Sequence, residues 1–360
     1  MPVIDADAHV LETEETWEYM DPADRKHRPQ VVTLPHPKFG TQEFWYIDGK
    51  VRRRKPASLT EQQLAAQSQR LGRNVVTSPA AREMRDVGLR LEHMDLLGID
   101  VEVLHNTIFI ERAADHAAAE VAVYRGWNRW MAELWKQGGG RLRWTCMAPT
   151  LSMSDALDEM RYSKEHGAVG VILRPVEADK LLVDPYFYPL YEEATRLDIP
   201  VVTHIANADP HTAELYSTPY ETGNAFGMFM APAVVLTHQI MMSQLPQLFP
   251  ALRWGIVEAG AQWLPWVIGE AERRYQVDGR EWPEEGFKAF KIWVTCQTNN
   301  DMPFVLKYAG EDSIVIGTDF GHTDIASEVD AISVLRLTSG LDIRLIDKIV
   351  DDNPRALYGL

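Results

Sequence analysis

The sequence predicts a single (β/α)₈ barrel that spans residues 1–360. Three observations predict it: eight short β-rich runs, helical patterns between most of them, and polar side chains at the ends of several runs. Strands that alternate with helices form parallel sheets, and eight such units close into a barrel. Because α/β barrels exceed the usual domain size of about 150 residues, one barrel accounts for all 360 residues.

The predicted strands share a β-rich, apolar composition. They are Val3–Val10, Val101–His105, Arg143–Thr150, Val169–Pro175, Pro200–Ala206, Arg253–Ala259, Lys291–Thr298 and Ile314–Asp319. Apolar residues at helical spacing fill the intervals between most of them. The predicted helices include Ala118–Lys136, Met153–His166, Pro189–Leu197 and Ala231–Phe249.

The first interval is the longest, and we interpret residues 29–95 as a lid-like excursion over the barrel mouth. Asp48–Gly49 is a hairpin turn signal, and residues 60–95 have a helical pattern. The aromatic cluster Phe44–Tyr46 either closes over a substrate or anchors the excursion. We expect the basic run Arg52–Lys55 to form a solvated face.

Composition excludes several classes of protein. With 36 basic and 52 acidic side chains, the net charge is −16, which argues against a nucleic-acid partner. No apolar run reaches the roughly 18 residues of a membrane span. No signal peptide is visible, and we expect Cys146 and Cys296 to be buried thiols. Two buried thiols suit a reducing cytoplasm and exclude a disulfide scaffold.

The first strand carries the strongest signal for a metal site. Because strand side chains alternate, Asp5, Asp7 and His9 are predicted to share one face. Ionisable groups that face a barrel lumen are costly unless they are paired or bind a metal. We therefore expect Asp7 and His9 to hold one cation.

Three other strands end in polar residues: His204, Glu258 and Asp319. Barrel enzymes build their active sites at these carboxyl ends. Together with the pair on the first strand, His204 and Asp319 make a mixed nitrogen and oxygen set. Such a set suits Zn²⁺, Mn²⁺ or Fe²⁺.

Four further residues are candidates, three of them with a stated alternative. Arg174 either holds a substrate carboxylate in a fork or pairs with an acid of the lumen. His322 either contacts the substrate and donates a proton or braces a ligand. His105 is expected to line the pocket, and Trp263 either stacks over the pocket or packs against the next helix.

The sequence resembles the amidohydrolase superfamily, in particular its amidohydrolase-2 branch. That branch contains aminocarboxymuconate-semialdehyde decarboxylase, γ-resorcylate-type decarboxylases and various hydrolases. The segments that carry the resemblance are Val3–His9, Gly167–Pro175, Val202–His204, Glu258–Trp263, Gly317–Asp324 and Asn353–Leu360.

The resemblance implies a homo-oligomer with one divalent ion, Zn²⁺ before Mn²⁺ or Fe²⁺, on Asp7, His9, His204 and Asp319. Two departures matter. The usual His-x-His of the first strand is Asp7–Ala8–His9 here, although an acid occurs there within the branch. Glu258 stands where decarboxylases of the branch carry a catalytic His, and its carboxylate could hold a second ion.

We therefore expect a metal-dependent hydrolase that attacks an amide, ester, thioester, lactone or C–C bond in a small carboxylated molecule. Glu258 or Asp319 would take the proton of the attacking water. The alternative is a non-oxidative decarboxylase of an aromatic or unsaturated acid, with His322 or Glu258 as the proton donor. A non-catalytic binding protein is disfavoured, because four metal-ligand candidates are present.

Overall fold

Eight parallel strands form the central sheet of this computed structural model, which describes residues 2–36, 40–216 and 226–360. In chain order, β1 to β8 are Ile4–His9, Val101–His105, Leu142–Met147, Ala168–Leu173, Val201–His204, Trp254–Val257, Ile292–Cys296 and Ile314–Ile316. Consecutive strands pair in parallel throughout. The eight predicted strands and the barrel architecture are confirmed.

The barrel closes where β1 meets the segment after β8. The closure is a short bridge between Ala8 and Phe320. The amide of His9 donates to Phe320 O, and the amide of Asp319 donates to Asp7 O, each at 2.9 Å. The two ends of the sheet are therefore joined at the level of the predicted metal ligands.

A β-bulge in β1 changes which face each side chain takes. The register with β2 shifts by one residue between Asp5 and Ala8. Ile4 and Ala6 pack into the lumen cluster, whereas Ala8 packs into the outer core. An extra residue in one strand breaks the alternation of its side chains. The prediction that Asp5 shares the face of Asp7 is therefore wrong.

The segment between β1 and β2 begins with two short 3₁₀ helices, Glu14–Tyr19 and Arg25–His27, and continues with a three-stranded antiparallel sheet of Gln30–His36, Gly40–Ile47 and Lys50–Arg54. Asp48 and Gly49 have φ of 52° and 75°, as the predicted tight hairpin turn requires. Trp45 is fully buried, with its ring centroid 5.8 Å from that of Trp17. The aromatic cluster thus anchors this sheet through Trp45.

Helices cover the outside of the barrel. Those of the first interval are Glu61–Leu71, Pro79–Arg82 and Val87–Leu97. The later α-helices are Ala117–Gln137, Met153–Glu165, Tyr188–Arg196, Pro210–Tyr216, Ala231–Met242, Leu245–Leu248, Leu264–Val277, Met302–Ala309, Ala331–Thr338, Ile343–Asp347 and Asn353–Tyr358. The predicted helix over 231–249 is broken at Ser243, which has extended backbone. Among the described helices, none combines the length and apolarity needed to cross a bilayer.

Candidate active site

The structure brings the four predicted metal ligands together at the carboxyl end of the barrel. Asp7 and His9 end β1, His204 ends β5, and Asp319 follows β8. His9 Nε2 lies 3.4 Å from Asp7 Oδ1, 3.3 Å from Asp319 Oδ1 and 3.0 Å from His204 Nε2. All four side chains are buried.

The hydrogen bonds of the two histidines aim their Nε2 lone pairs at each other. His9 Nδ1 lies 2.9 Å from Asn106 O, and His204 Nδ1 lies 3.3 Å from Ile205 O. A carbonyl only accepts hydrogen bonds, so both Nδ1 atoms carry the proton. Two facing lone pairs suit a shared cation, and such backbone contacts commonly orient metal-binding histidines.

The cluster fits a divalent ion by two further criteria. Asp7 Oδ1 is buried without a hydrogen-bond partner. It lies 3.8 Å from His204 Nε2, which is too far for a hydrogen bond. Ligand atoms bound to one ion at about 2.0–2.2 Å lie about 3–3.5 Å from one another. The three separations from His9 Nε2, of 3.0, 3.3 and 3.4 Å, match that range, whereas the 3.8 Å between Asp7 and His204 is slightly longer. The nitrogen and oxygen donors suit Zn²⁺, Mn²⁺ or Fe²⁺.

Two carboxylates of the site stand on strained backbone. Glu258 and Asp319 have φ of 65° and 51°, in a region that non-glycine residues seldom adopt. The Glu258 amide donates to Thr295 Oγ1 at 2.7 Å, and Gln297 Nε2 donates to the Glu258 carbonyl at 3.2 Å. Surrounding contacts thus fix a conformation of the kind that clusters at active sites.

Burial raises the pKa of both carboxyl groups. Burial raises the pKa of Glu258 well above its usual value, and the negative charges of Asp319 and Asp324 add to this. Burial also raises the pKa of Asp319, to about 6. Glu258 Oε2 lies 2.9 Å from His204 Nε2, so the carboxyl group borders the predicted metal ligands.

His322 lies against the metal ligands with both ring nitrogens occupied. Its ring stacks on His9 with centroids 3.9 Å apart, and its Nδ1 lies 2.7 Å from Asp319 Oδ1. Its Nε2 lies 2.9 Å from Thr107 Oγ1, whose hydroxyl donates to Val10 O. Burial lowers the pKa of His322, but the Asp319 carboxylate outweighs it and raises the pKa to about 9. His322 is therefore an imidazolium that braces Asp319.

Arg174 has its guanidinium already occupied. Its Nε donates to Glu177 Oε1 at 2.8 Å and its Nη2 to Glu177 Oε2 at 2.6 Å. Its Nη1 donates to the carbonyls of Phe109 and Glu111 and to the Tyr124 hydroxyl. Arg174 was expected either to bind a substrate carboxylate or to pair with an acid, and in the structure it pairs with Glu177. Few of its N–H groups therefore remain for a substrate.

His105 and Trp263 lie near the site but off the wall of its cavity. His105 is fully buried, with Nδ1 2.7 Å from Thr145 Oγ1. The Trp263 indole donates to Ala259 O at 3.1 Å, and its ring packs against the core. The structure therefore gives both residues packing and hydrogen-bonding contacts in place of an open face towards a substrate.

A cavity of about 990 Å³ opens above the metal-ligand cluster. His204, Glu258 and His322 contribute to its polar floor. Its apolar wall includes Phe226, Phe229 and Met230, and its arginines are Arg53, Arg54, Arg82 and Arg174. The basic run of the first interval was expected to be solvated, yet two of its arginines face this cavity.

Three residues outside the predicted ligand and catalytic sets contact the predicted metal ligands or the strands that carry them. Arg90 is fully buried; its Nη1 donates to His9 O at 3.2 Å and its Nε to Glu102 Oε2 at 2.7 Å. Its Cζ lies 3.5 Å from the centroid of the Phe320 ring. Asp5 accepts hydrogen bonds from the amide and hydroxyl of Thr318.

Gly317, the third of these residues, allows β8 to approach β1. A Cβ atom at this position would overlap Asp7, backbone atoms included. Only a residue without a side chain permits this approach. The close approach of β8 to β1 therefore depends on this glycine.

Solved structures share the fold over the whole chain. An amidohydrolase from Mycobacterium avium subsp. paratuberculosis K-10 is 18% identical, with a TM-score of 0.76, and the match covers 100% of this chain and 98% of that one. A dihydroxybenzoic acid decarboxylase from Polaromonas sp. JS666, with bound manganese and the inhibitor 2-nitroresorcinol, is 19% identical (TM-score 0.65, coverage 100% and 97%). The 5-carboxyvanillate decarboxylase from Sphingomonas paucimobilis is 13% identical (TM-score 0.68, coverage 100% and 99%).

Sequence comparison identifies the family. No curated protein matches the chain. The model of one family, described as amidohydrolase, matches residues 4–360. That match includes all four metal-ligand candidates and both strained carboxylates, so the chain is an enzyme that belongs to the amidohydrolase family.

Proposed function

We propose that this enzyme is a metal-dependent hydrolase of a carbonyl-type bond in a small carboxylated molecule. The bond classes are amide, ester, thioester, lactone and C–C. The observation that carries the proposal is the position of Glu258. Its buried carboxyl group lies within hydrogen-bond distance of a metal-ligand histidine and faces the cavity.

The residues of the site divide the chemistry between them. Asp7, His9, His204 and Asp319 would hold one divalent ion, which supplies a water of lowered pKa and polarises a carbonyl. Glu258 accepts the proton of the attacking water and returns it to the leaving atom. His322 keeps Asp319 in place and adds a positive charge beside the cavity.

The ion is proposed to be Zn²⁺, with Mn²⁺ next because the Polaromonas decarboxylase binds it. A second ion on Glu258 is the alternative, and metal content per chain distinguishes one ion from two. We further propose a cytoplasmic homo-oligomer, from the family resemblance and the two free, buried cysteines.

We also propose that residues 29–95 act as a cover over a single barrel domain. Support comes from the cavity wall, to which this segment contributes Arg53, Arg54, Leu64, Gln67 and Arg82. The same segment reaches below the site through Arg90.

Decarboxylation is the second candidate, because two of the similar structures above are decarboxylases of aromatic acids. In that reaction the metal ligands would hold the oxygens of the substrate. Glu258 or His322 would then deliver the proton to the ring carbon that loses CO₂.

One pair of assays separates the two candidates. Protein loaded with Zn²⁺ or Mn²⁺ is tested for hydrolysis of dihydrocoumarin and p-nitrophenyl acetate, and for CO₂ release from 2,6-dihydroxybenzoate. We expect hydrolysis, and we expect Glu258→Gln to lose about 10²-fold or more in turnover with its metal retained. CO₂ release without hydrolysis of either ester would replace the hydrolase by the decarboxylase.

A further inference from the structure

Arg82 is a buried cation on the wall of the catalytic cavity. It ends the helix Pro79–Arg82, and only 2% of its surface is exposed. Its Nη1 donates to Thr77 O at 2.9 Å, and its Nη2 donates to Leu59 O. The Nε–H group has no acceptor within the described residues. The carbonyl groups of Thr77 and Leu59 and the Thr77 hydroxyl therefore accept hydrogen bonds from only part of this guanidinium.

The charge of Arg82 has no direct counterion. In the described ranges 2–36, 40–216 and 226–360, no carboxylate oxygen lies within 4.0 Å of it. Glu83 and Glu61 act on its charge only from farther away. Buried charges are normally paired, because burial without a partner is expensive. The positive charge of Arg82 therefore lines the cavity without a carboxylate partner from the described part of the protein.

The position of Arg82 ties it to the metal-ligand cluster. A Cβ atom on Gly321 would lie 3.5 Å from His9 O and 3.8 Å from Arg82 Cβ. Arg82 and the ligand His9 thus flank the same glycine of the loop after β8. Arg82, His204 and Glu258 all face one cavity, so a single small molecule can contact the floor and the arginine together.

We propose that Arg82 is a specificity-determining residue that recognises a carboxylate on the substrate, separate from the bond that is broken. This rests on the proposed function of the cavity, and it names the group that the substrate carries. A carboxylate is preferred to a phosphate because its single negative charge is enough to neutralise one guanidinium. The planar carboxylate also matches the unused N–H groups of the guanidinium.

Binding of dicarboxylates tests the proposal without requiring turnover. The probes are succinate, glutarate, adipate and pimelate, each compared with the monocarboxylate of equal chain length, on Zn²⁺-loaded protein by calorimetry. One carboxylate can reach the metal and the other Arg82, so no length needs to be known in advance. We expect at least one diacid to bind about ten-fold more tightly than its monoacid, the scale of one charged hydrogen-bonded pair.

Variants assign that advantage to one arginine. Arg82→Gln keeps a donor for the neighbouring carbonyls and should remove the advantage of the diacid, whereas Arg82→Lys should keep part of it. Arg54→Gln is the matched control, because Arg54 is an exposed arginine on the same cavity wall. It should leave the advantage intact.

Two results would overturn the proposal: no diacid advantage in the wild type, or an advantage that survives Arg82→Gln. Loss through Arg54→Gln alone would transfer the role to Arg54. Because these are binding measurements, they stay informative if the ester and lactone assays show no hydrolysis. A failed hydrolase and a failed carboxylate subsite are therefore distinguishable.

Discussion

Two buried arginines line the same cavity and differ in what neutralises them. Arg174 follows β4 and is held on both sides of its fork by Glu177. Arg82 comes from the segment between β1 and β2 and has only carbonyl and hydroxyl partners. Although the two arginines have the same charge and are both buried, we expect a structural role for Arg174 and a role in ligand binding for Arg82.

The difference lies in the source of the counterion. Glu177 stays with the protein whether or not a ligand is bound, so Arg174 contributes to the structure of the cavity wall. A counterion for Arg82 can arrive with a substrate, so its unpaired charge contributes to selection. The count of arginines around a cavity is thus less informative than the list of their partners.

The largest expected change in stability comes from removing the carboxylate partner of Arg174, which would leave it unpaired like Arg82. Glu177→Gln should lower the free energy of unfolding by about 3–5 kcal/mol, because it leaves a buried guanidinium without its carboxylate. Urea denaturation of the metal-free protein measures this. The control is Glu111→Gln, which removes a half-exposed partner of Arg53 and should cost less than about 1 kcal/mol. Equal losses would contradict the structural role of the Arg174 pair.

Glu120, whose pKa is also influenced by the charge of Arg174, should have a smaller effect on stability, and this effect should depend on pH. Burial raises the pKa of Glu120 to about 7, against the lowering effect of Arg174. Above the unfolded pKa of 4.5, the folded protein holds this proton more tightly than the unfolded chain. Stability should therefore fall as pH rises from about 4.5 to 7, by up to about 3 kcal/mol.

Glu120→Gln should flatten that part of the stability profile. Urea titrations at pH 5, 6 and 7 on both proteins provide the comparison. A wild-type profile no steeper than that of the variant would show that the Glu120 carboxyl titrates normally.

Arg90 extends the comparison to a third buried arginine, which pairs with Glu102 and also holds the carbonyl of a metal ligand. Arg90→Lys should weaken Co²⁺ binding about 10- to 100-fold, as loss of support around metal ligands commonly does. Titration of the Co²⁺ absorption bands measures the affinity. Arg129→Lys is the control, because Arg129 also has a carboxylate, Glu159, and an aromatic ring, but lies away from the site.

The smallest expected effect is the stability change on Arg82→Gln. The lost bonds are partly replaced by the amide, and an unpaired buried charge disappears, so the change should stay within about 1 kcal/mol of zero. Parallel urea denaturation with Glu177→Gln tests this directly. If both variants lose the same stability, the two arginines do not differ and the comparison fails.

Local sequence signals were enough to predict the barrel and the carboxylate and histidine side chains that lie near one another at its carboxyl end. Each strand is a short β-rich run, and His204 and Asp319 stand at run ends, where a barrel places its chemistry. The bulge in β1 could not be predicted, because its register depends on pairing with β2, far along the chain.

Sequence position likewise failed to distinguish the arginines. The end of β4 marked Arg174 as a cavity residue, but its neutralisation depends on a two-strand hairpin of Val176–Glu177 and Lys180–Leu181. Arg82 lies in a helix of ordinary pattern, and only the long-range approach of that helix to the loop after β8 gives it a role.

The closure between β1 and β8 has a consequence for biosynthesis. Asp7 and His9 are made early, whereas Asp319 follows the last strand of the barrel. A nascent chain on the ribosome therefore carries half of the ligand set long before the other half exists. In the proposed metalloenzyme, metal capture would be among the last events of maturation, because a truncated or stalled chain cannot bring Asp319 to Asp7 and His9 however well its earlier strands have folded.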